Sequence, residues 1–150
     1  MEKQAEHIAS LVGMLPVFIG AVLEGIEIST PYKLSESEEK TLMFLHHNEG
    51  SPMTAYSKKV GLTRGSFTGV VDRLQEKGLV ERAPVSCDRR KYALMLTTAG
   101  KNVARDIDAQ FKRHIAAKMA LLPPRERDKL AAALETIIAA AELLTAGKEG

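Results

Sequence analysis

The chain has 150 residues, 45% hydrophobic and 27% charged, with a net charge of +2 and a single cysteine. That size and mix suit one domain, residues 1–150, with a real hydrophobic core. The lone Cys87 excludes an intramolecular disulfide and leaves too few thiols for a Cys-rich zinc site.

The N-terminal arm reads as a helix from about Ala5 to Ile26, with Ile8, Leu11, Leu15, Phe18, Val22 and Ile26 at three- and four-residue steps. Pro16 predicts a kink or a break. Residues 8–23 carry no formal charge, but sixteen positions fall short of the roughly 18–20 that a bilayer requires. Gly13, Pro16 and Gly20 interrupt them, and Glu24 and Glu27 follow where an anchored helix favours Lys or Arg. A buried helix is expected, with no membrane partner. The first six residues lack the positive n-region of a secretory signal, so a cytoplasmic location is expected.

After the Ser29-Thr30-Pro31 loop, Ser35-Glu36-Ser37-Glu38 forms a capping box, with the Ser35 hydroxyl accepting from the Glu38 amide while the Glu38 side chain reaches back. A helix to about His47 follows, burying Leu42, Leu45 and either Met43 or Phe44. Ser51-Pro52 starts a short helix that ends at Gly61. A second helix runs from Thr63 to Gly78, with Phe67, Val70, Val71 and Leu74 on its buried face. Arg64, Gly65, Ser66, Thr68, Gly69 and Arg73 occupy the opposite face. Two short helices joined by Gly61-Leu62-Thr63 make a helix-turn-helix.

Beyond Gly78 the period changes to two, and residues 79–83 and 92–96 read as strands. Pro84, Val85, Ser86, Cys87, Asp88, Arg89, Arg90 and Lys91 lie between them, a basic hairpin tip or wing. Thr97 or Thr98 caps the next helix, whose stripe is Val103, Ile107, Phe111, His114 or Ile115, and Met119. Pro123-Pro124 breaks it, and a final helix carries Leu130, Leu134, Ile137, Ile138, Ala141 and Leu144. The two arms hold more apolar stripe than the central lobe can cover, so a homodimer is expected. Between residues 54 and 101 ten basic residues face four acids, a net +6 that leaves −4 for the rest. Such concentration suits a nucleic-acid-binding surface.

The run Val70-Val71-Asp72-Arg73-Leu74-Gln75-Glu76-Lys77-Gly78-Leu79-Val80-Glu81-Arg82 is followed by Cys87-Asp88-Arg89-Arg90 and then Leu94-Met95-Leu96-Thr97-Thr98-Ala99-Gly100. Together these segments resemble the MarR (multiple antibiotic resistance regulator) family of winged-helix transcription regulators. The resemblance implies a mainly α fold with a small β-hairpin wing. Residues 35–100 would form the DNA-binding lobe, and residues 1–30 and 101–150 the dimerisation helices. It departs at Tyr56, where the motif usually offers an aliphatic residue, and at Gly65 and Gly69, which lighten the exposed face.

A recognition helix reads bases from its exposed N-terminal face, here Arg64, Ser66, Thr68 and Arg73. Arg64 suits a bidentate guanine contact or a phosphate; Ser66 has a capping alternative beside Thr63. Arg89 and Arg90 resemble the family's wing arginines, entering a narrow minor groove. Asp88 orients one of them, and Asp72 is a second acidic partner that would tie wing to helix. Lys58, Lys59 and Lys91 suit phosphates. The expected partner is double-stranded DNA with a pseudo-palindromic operator.

The resemblance also implies a small, often aromatic effector between the arms and the lobe, with Phe18, Tyr32, His46 and Phe111 as lining residues or as plain core. Cys87, beside Arg89, Arg90 and Lys91, offers a redox alternative. Adjacent His46 and His47 point about 100° apart on a helix, a poor chelating geometry, and with His7 and His114 they predict no metal site. No phosphate loop, nucleophile elbow, paired-His motif or spaced carboxylates appear, so neither an enzyme nor a cofactor is expected. The competing non-enzymatic reading is a winged-helix module that binds protein rather than DNA.

Overall fold

The computed structural model describes residues 1–48, 64–85 and 88–146. The elements run α1 (Glu2–Leu23), α2 (Glu36–His47), α3 (Arg64–Glu76), β1 (Val80–Val85), β2 (Asp88–Leu96), α4 (Thr98–Met119) and α5 (Pro124–Ala146). They fall into two units, Ile26–Lys112 and a second made of Met1–Gly25 with Arg113–Gly150.

The first unit is built on apolar residues that the periodicity of α2, α3 and the hairpin turns to one side. Leu42 and Leu45 from α2 meet Phe67, Val70, Val71 and Leu74 from α3. Leu79, Val80, Leu94 and Leu96 come from the hairpin, and Val103, Ala104 and Ile107 from α4. Met43 and Phe44 both pack partly buried against this core, so neither displaces the other.

Local chemistry sets the ends of these helices. Ser35 Oγ accepts the Glu38 amide at 3.2 Å, capping α2. At the end of α3, Gly78 adopts φ +73°, a conformation that costs a residue with a Cβ. The Gly78 amide donates to Gln75 O and the Leu79 amide to Leu74 O, both at 3.0 Å. These two bonds and the buried Leu74 and Leu79 side chains are a Schellman stop. Thr97, rather than Thr98, caps α4, because its Oγ1 accepts the Gly100 amide at 3.0 Å and donates to Gly78 O at 2.6 Å.

The antiparallel hairpin pairs Val80 with Leu96 through Pro84 with Tyr92, then Val85 with Asp88. The expected strands, 79–83 and 92–96, were too short. Pairing continues past Pro84, which cannot donate to a ladder, by a register jump between Pro84 and Val85. Of the residues expected in the tip, Pro84, Val85, Asp88, Arg89, Arg90 and Lys91 therefore belong to the strands.

In the second unit α1 begins at Glu2, earlier than expected, and runs through Pro16 without a break. His114 Nε2 lies 2.8 Å from Val22 O, and Lys118 Nζ lies 3.8 Å from a Glu24 carboxylate oxygen, joining the end of α1 to α4. The expectation of a buried α1 does not hold within one chain, where none of its residues is buried. Ile8, Leu11, Val12, Met14, Leu15, Val17 and Ile19 are all exposed. By length and composition alone α1 is long and apolar enough to cross a membrane, with a mean hydropathy of 1.7 over 18 residues, although its uncharged stretch is the sixteen residues 8–23. Helix α5 has no buried residue either.

Candidate nucleic-acid interface

Helix α3 divides by the 3.6-residue period into a core face and an outward face. Phe67, Val70, Val71 and Leu74 are buried, while Gly65, Ser66, Thr68, Asp72 and Arg73 are exposed. The outward face near the N-terminus is made of small and polar residues. Nothing lies within 4 Å of where a Gly65 Cβ would stand, so the backbone there is open to close approach.

Arg73 does not extend freely from this face as expected. Its Nε donates to Glu38 Oε1 at 3.0 Å, although the side chain is still 52% exposed. Its Nη1 lies 3.4 Å from the Cβ position of Gly69, so the guanidinium is laid back along its own helix. The other carboxylate oxygen, Glu38 Oε2, takes a hydrogen bond from Lys77 Nζ, which also donates to Lys33 O at 2.7 Å. Glu38 is only 2% exposed. Burial pushes its carboxyl pKa up, but Lys77, Arg73 and the Ser35 amide outweigh burial and hold it below the ordinary value. The capping box thus has its Ser35 half as expected, while the strongest partners of Glu38 are Arg73 of α3 and Lys77 just beyond it.

Asp72 takes Arg82 of β1 at 2.6 Å, and Arg82 Nη1 donates to Gln75 Oε1 at 2.5 Å. Asp72 joins α3 to the hairpin through Arg82, while the expected pairing with Arg89 or Arg90 involves side chains outside the described residues. Sequence alone gives neither Glu38 nor Arg82 a role at the interface. The only signals were the glutamate of the capping box and a basic residue on a short strand.

Arg64 begins α3, and Asp88, Arg89, Arg90 and Lys91 stand on β2, but their side chains lie outside the described residues. Lys58, Lys59 and Cys87 lie outside them altogether, as does the first helix of the expected helix-turn-helix.

Of the four aromatic candidates, Tyr32, His46 and Phe111 belong to the first unit. Tyr32 packs against the core and lines an open cleft of about 400 Å³ with Glu27, Ile28, Ser29, Thr30, Lys33, Leu34 and Glu39. Burial, reinforced by Glu36, raises the Glu39 carboxyl pKa. The loop is pinned by Ser29, whose amide donates to Gln110 Oε1 and whose carbonyl accepts from Gln110 Nε2, both at 2.8 Å. His46 turns instead toward Asp108, with Nε2 4.0 Å from Oδ2, and His47 Nε2 lies 3.8 Å from Oδ1. Lys112 completes this cluster at 2.6 Å and is the main reason the Asp108 pKa is lowered. Phe111 is 39% exposed on α4, and Phe18 belongs to the other unit. Among the described residues no group of three or more metal-ligating side chains comes together.

A model of the MarR family matches residues 40–91. The uncharacterised HTH-type transcriptional regulator YcgE of Bacillus subtilis (strain 168) is 44% identical over 62 residues, a match spanning 40% of each chain. Two solved structures share the fold along nearly the whole length. FabT of Streptococcus pneumoniae, solved in complex with DNA, is 22% identical with a TM-score of 0.66 and covers 95% of this chain and 98% of its own. PcaV of Streptomyces coelicolor, solved with its natural ligand, is 24% identical with a TM-score of 0.62, covering 92% and 96%.

A helical lobe closed by a two-stranded hairpin, with a polar helix face beside it, defines a winged-helix protein. Within that class, the chain is similar to transcription regulators of the MarR family, whose model matches residues 40–91.

Proposed function

We propose that the chain is a homodimeric, sequence-specific DNA-binding regulator, most simply a cytoplasmic repressor released by a small effector. The observation that carries this reading is the outward face of α3, small and polar at Gly65, Ser66 and Thr68, tied through Asp72 and Arg82 to a hairpin that bears Arg89, Arg90 and Lys91. Helix α3 enters the major groove, where Arg64, Ser66 and Thr68 meet base edges or phosphates, and the hairpin places an arginine in the adjacent minor groove. Lys58, Lys59 and Lys91 take phosphates. The likeness to FabT, solved on DNA, supports this arrangement.

The bare apolar surfaces of α1 and α5 supply the dimer contact, since exposed apolar area of this extent is uncommon on a soluble monomer. The cleft beside Tyr32 is the place in the first unit for an effector, and PcaV was solved with a natural ligand. Its walls include Glu27 and Glu39, so the effector is not restricted to the aromatic class first expected.

Selection of bound duplexes from a random DNA pool tests the reading. Enrichment of a pseudo-palindrome is the expected result, and an unenriched pool at low salt contradicts it. The protein-binding module is favoured if the protein passes unretained over DNA at low ionic strength. Redox control through Cys87 requires peroxide to weaken the wild type and spare Cys87→Ser.

A further inference from the structure

We propose that Glu38 is a positioning residue for DNA recognition, holding Arg73 of α3 and Lys77 just after it in place so that the small face of the helix, and not long flexible charges, meets the duplex. The inference rests on the DNA-binding reading above.

Glu38 belongs to α2, yet its two carboxylate oxygens are divided between Arg73 and Lys77, 35 and 39 residues further on. It is one of few charged groups in the core, at 2% exposure. A carboxylate removed from water is costly unless it is paired and hydrogen-bonded, and an apolar cluster of similar volume commonly serves stability as well or better. What an ion network supplies that an apolar one does not is direction. The carboxylate fixes Arg73 of α3 and Lys77, four residues further on in the turn after it, and Lys77 carries the restraint on to the carbonyl of Lys33.

The effect on Arg73 is visible in its shape. With Nε committed to Glu38, the guanidinium lies along Gly69, where any side chain beyond a methyl group would compete for the space. Residues 65–69 are thereby left as a low surface of two glycines, a serine and a threonine around the buried Phe67. Released from Glu38, Arg73 and Lys77 become flexible cations beside that surface. Such groups bind phosphates of any sequence, which raises non-specific affinity and erodes discrimination.

The test compares two duplexes, one selected from a random pool by the wild type and one scrambled at the same composition, in a salt series. For Glu38→Gln the expected result is a loss of about tenfold or more in the selected-to-scrambled affinity ratio. Scrambled-duplex affinity holds or rises, and its salt dependence steepens by about one phosphate contact. A triple variant, Glu38→Met with Arg73→Met and Lys77→Met, keeps the result interpretable if the single change unfolds the lobe. It should melt cooperatively and keep the ratio, because no released cation remains beside the small face.

The proposal is overturned if folded Glu38→Gln keeps the wild-type ratio within twofold, or if the folded triple variant loses it. It is also overturned if Glu38→Gln weakens both duplexes in parallel with its loss of melting temperature. A wild type that binds neither duplex would overturn the DNA-binding reading itself, an outcome distinct from both.

Discussion

A methyl group at position 100 would lie 1.9 Å from the carbonyl oxygen of Leu79, closer than real atoms approach. The start of α4 and the turn after α3 touch through that contact, so Gly100→Ala must push backbone against backbone. A loss of about 1–3 kcal/mol is expected, read as a lower Tm. Gly65→Ala, with open space around it, leaves Tm unchanged or slightly higher. Charge at single residues sets the acid limit of stability. Glu38 and Asp108 both have folded pKa values below their ordinary 4.5 and 3.8. Their contributions are therefore complete above those values and disappear as pH falls through the lower folded ones. Glu39 is raised instead, so part of its cost is relieved in acid. The Tm difference between wild type and Glu38→Gln should be full at pH 7 and shrink below about pH 4.5; a difference unchanged down to pH 3 contradicts the network.

At the level of elements, the hairpin is the part whose role is most directly measured. Arg89→Ala or Arg90→Ala should weaken operator binding by about tenfold and flatten the dependence of log Kd on salt. Unchanged affinity and slope in both variants would remove the wing from the mechanism. The elements themselves were largely legible from sequence because α3 obeys one period throughout: Phe67, Val70, Val71 and Leu74 all reach the core, and Gly78 stops the helix where a left-handed residue is needed. The strands were read short, because alternation is lost around Pro84 although pairing resumes beyond it. Periodicity assigned Arg73 to the outward face correctly, but it says nothing of where a long side chain turns. The Glu38–Arg73–Lys77 network joins residues 35 and 39 apart, and no local pattern announces a contact of that range.

For the whole molecule, the unresolved balance lies in α1 and α5, whose apolar residues find no cover within one chain. Their excess was readable as composition, but what covers it depends on a second molecule. Two-copy association predicts a sedimenting dimer without detergent. Leu11→Glu with Ile138→Glu should shift it toward monomer and weaken operator binding in step; a membrane role for α1 instead predicts protein that floats with vesicles. The most direct test of the account is a hydroxyl-radical footprint on a selected duplex. Two protected half-sites, centred about 10 base pairs apart and fading together as salt rises, are the predicted result. Protection of a single unrepeated half-site, or none at low ionic strength, would contradict it.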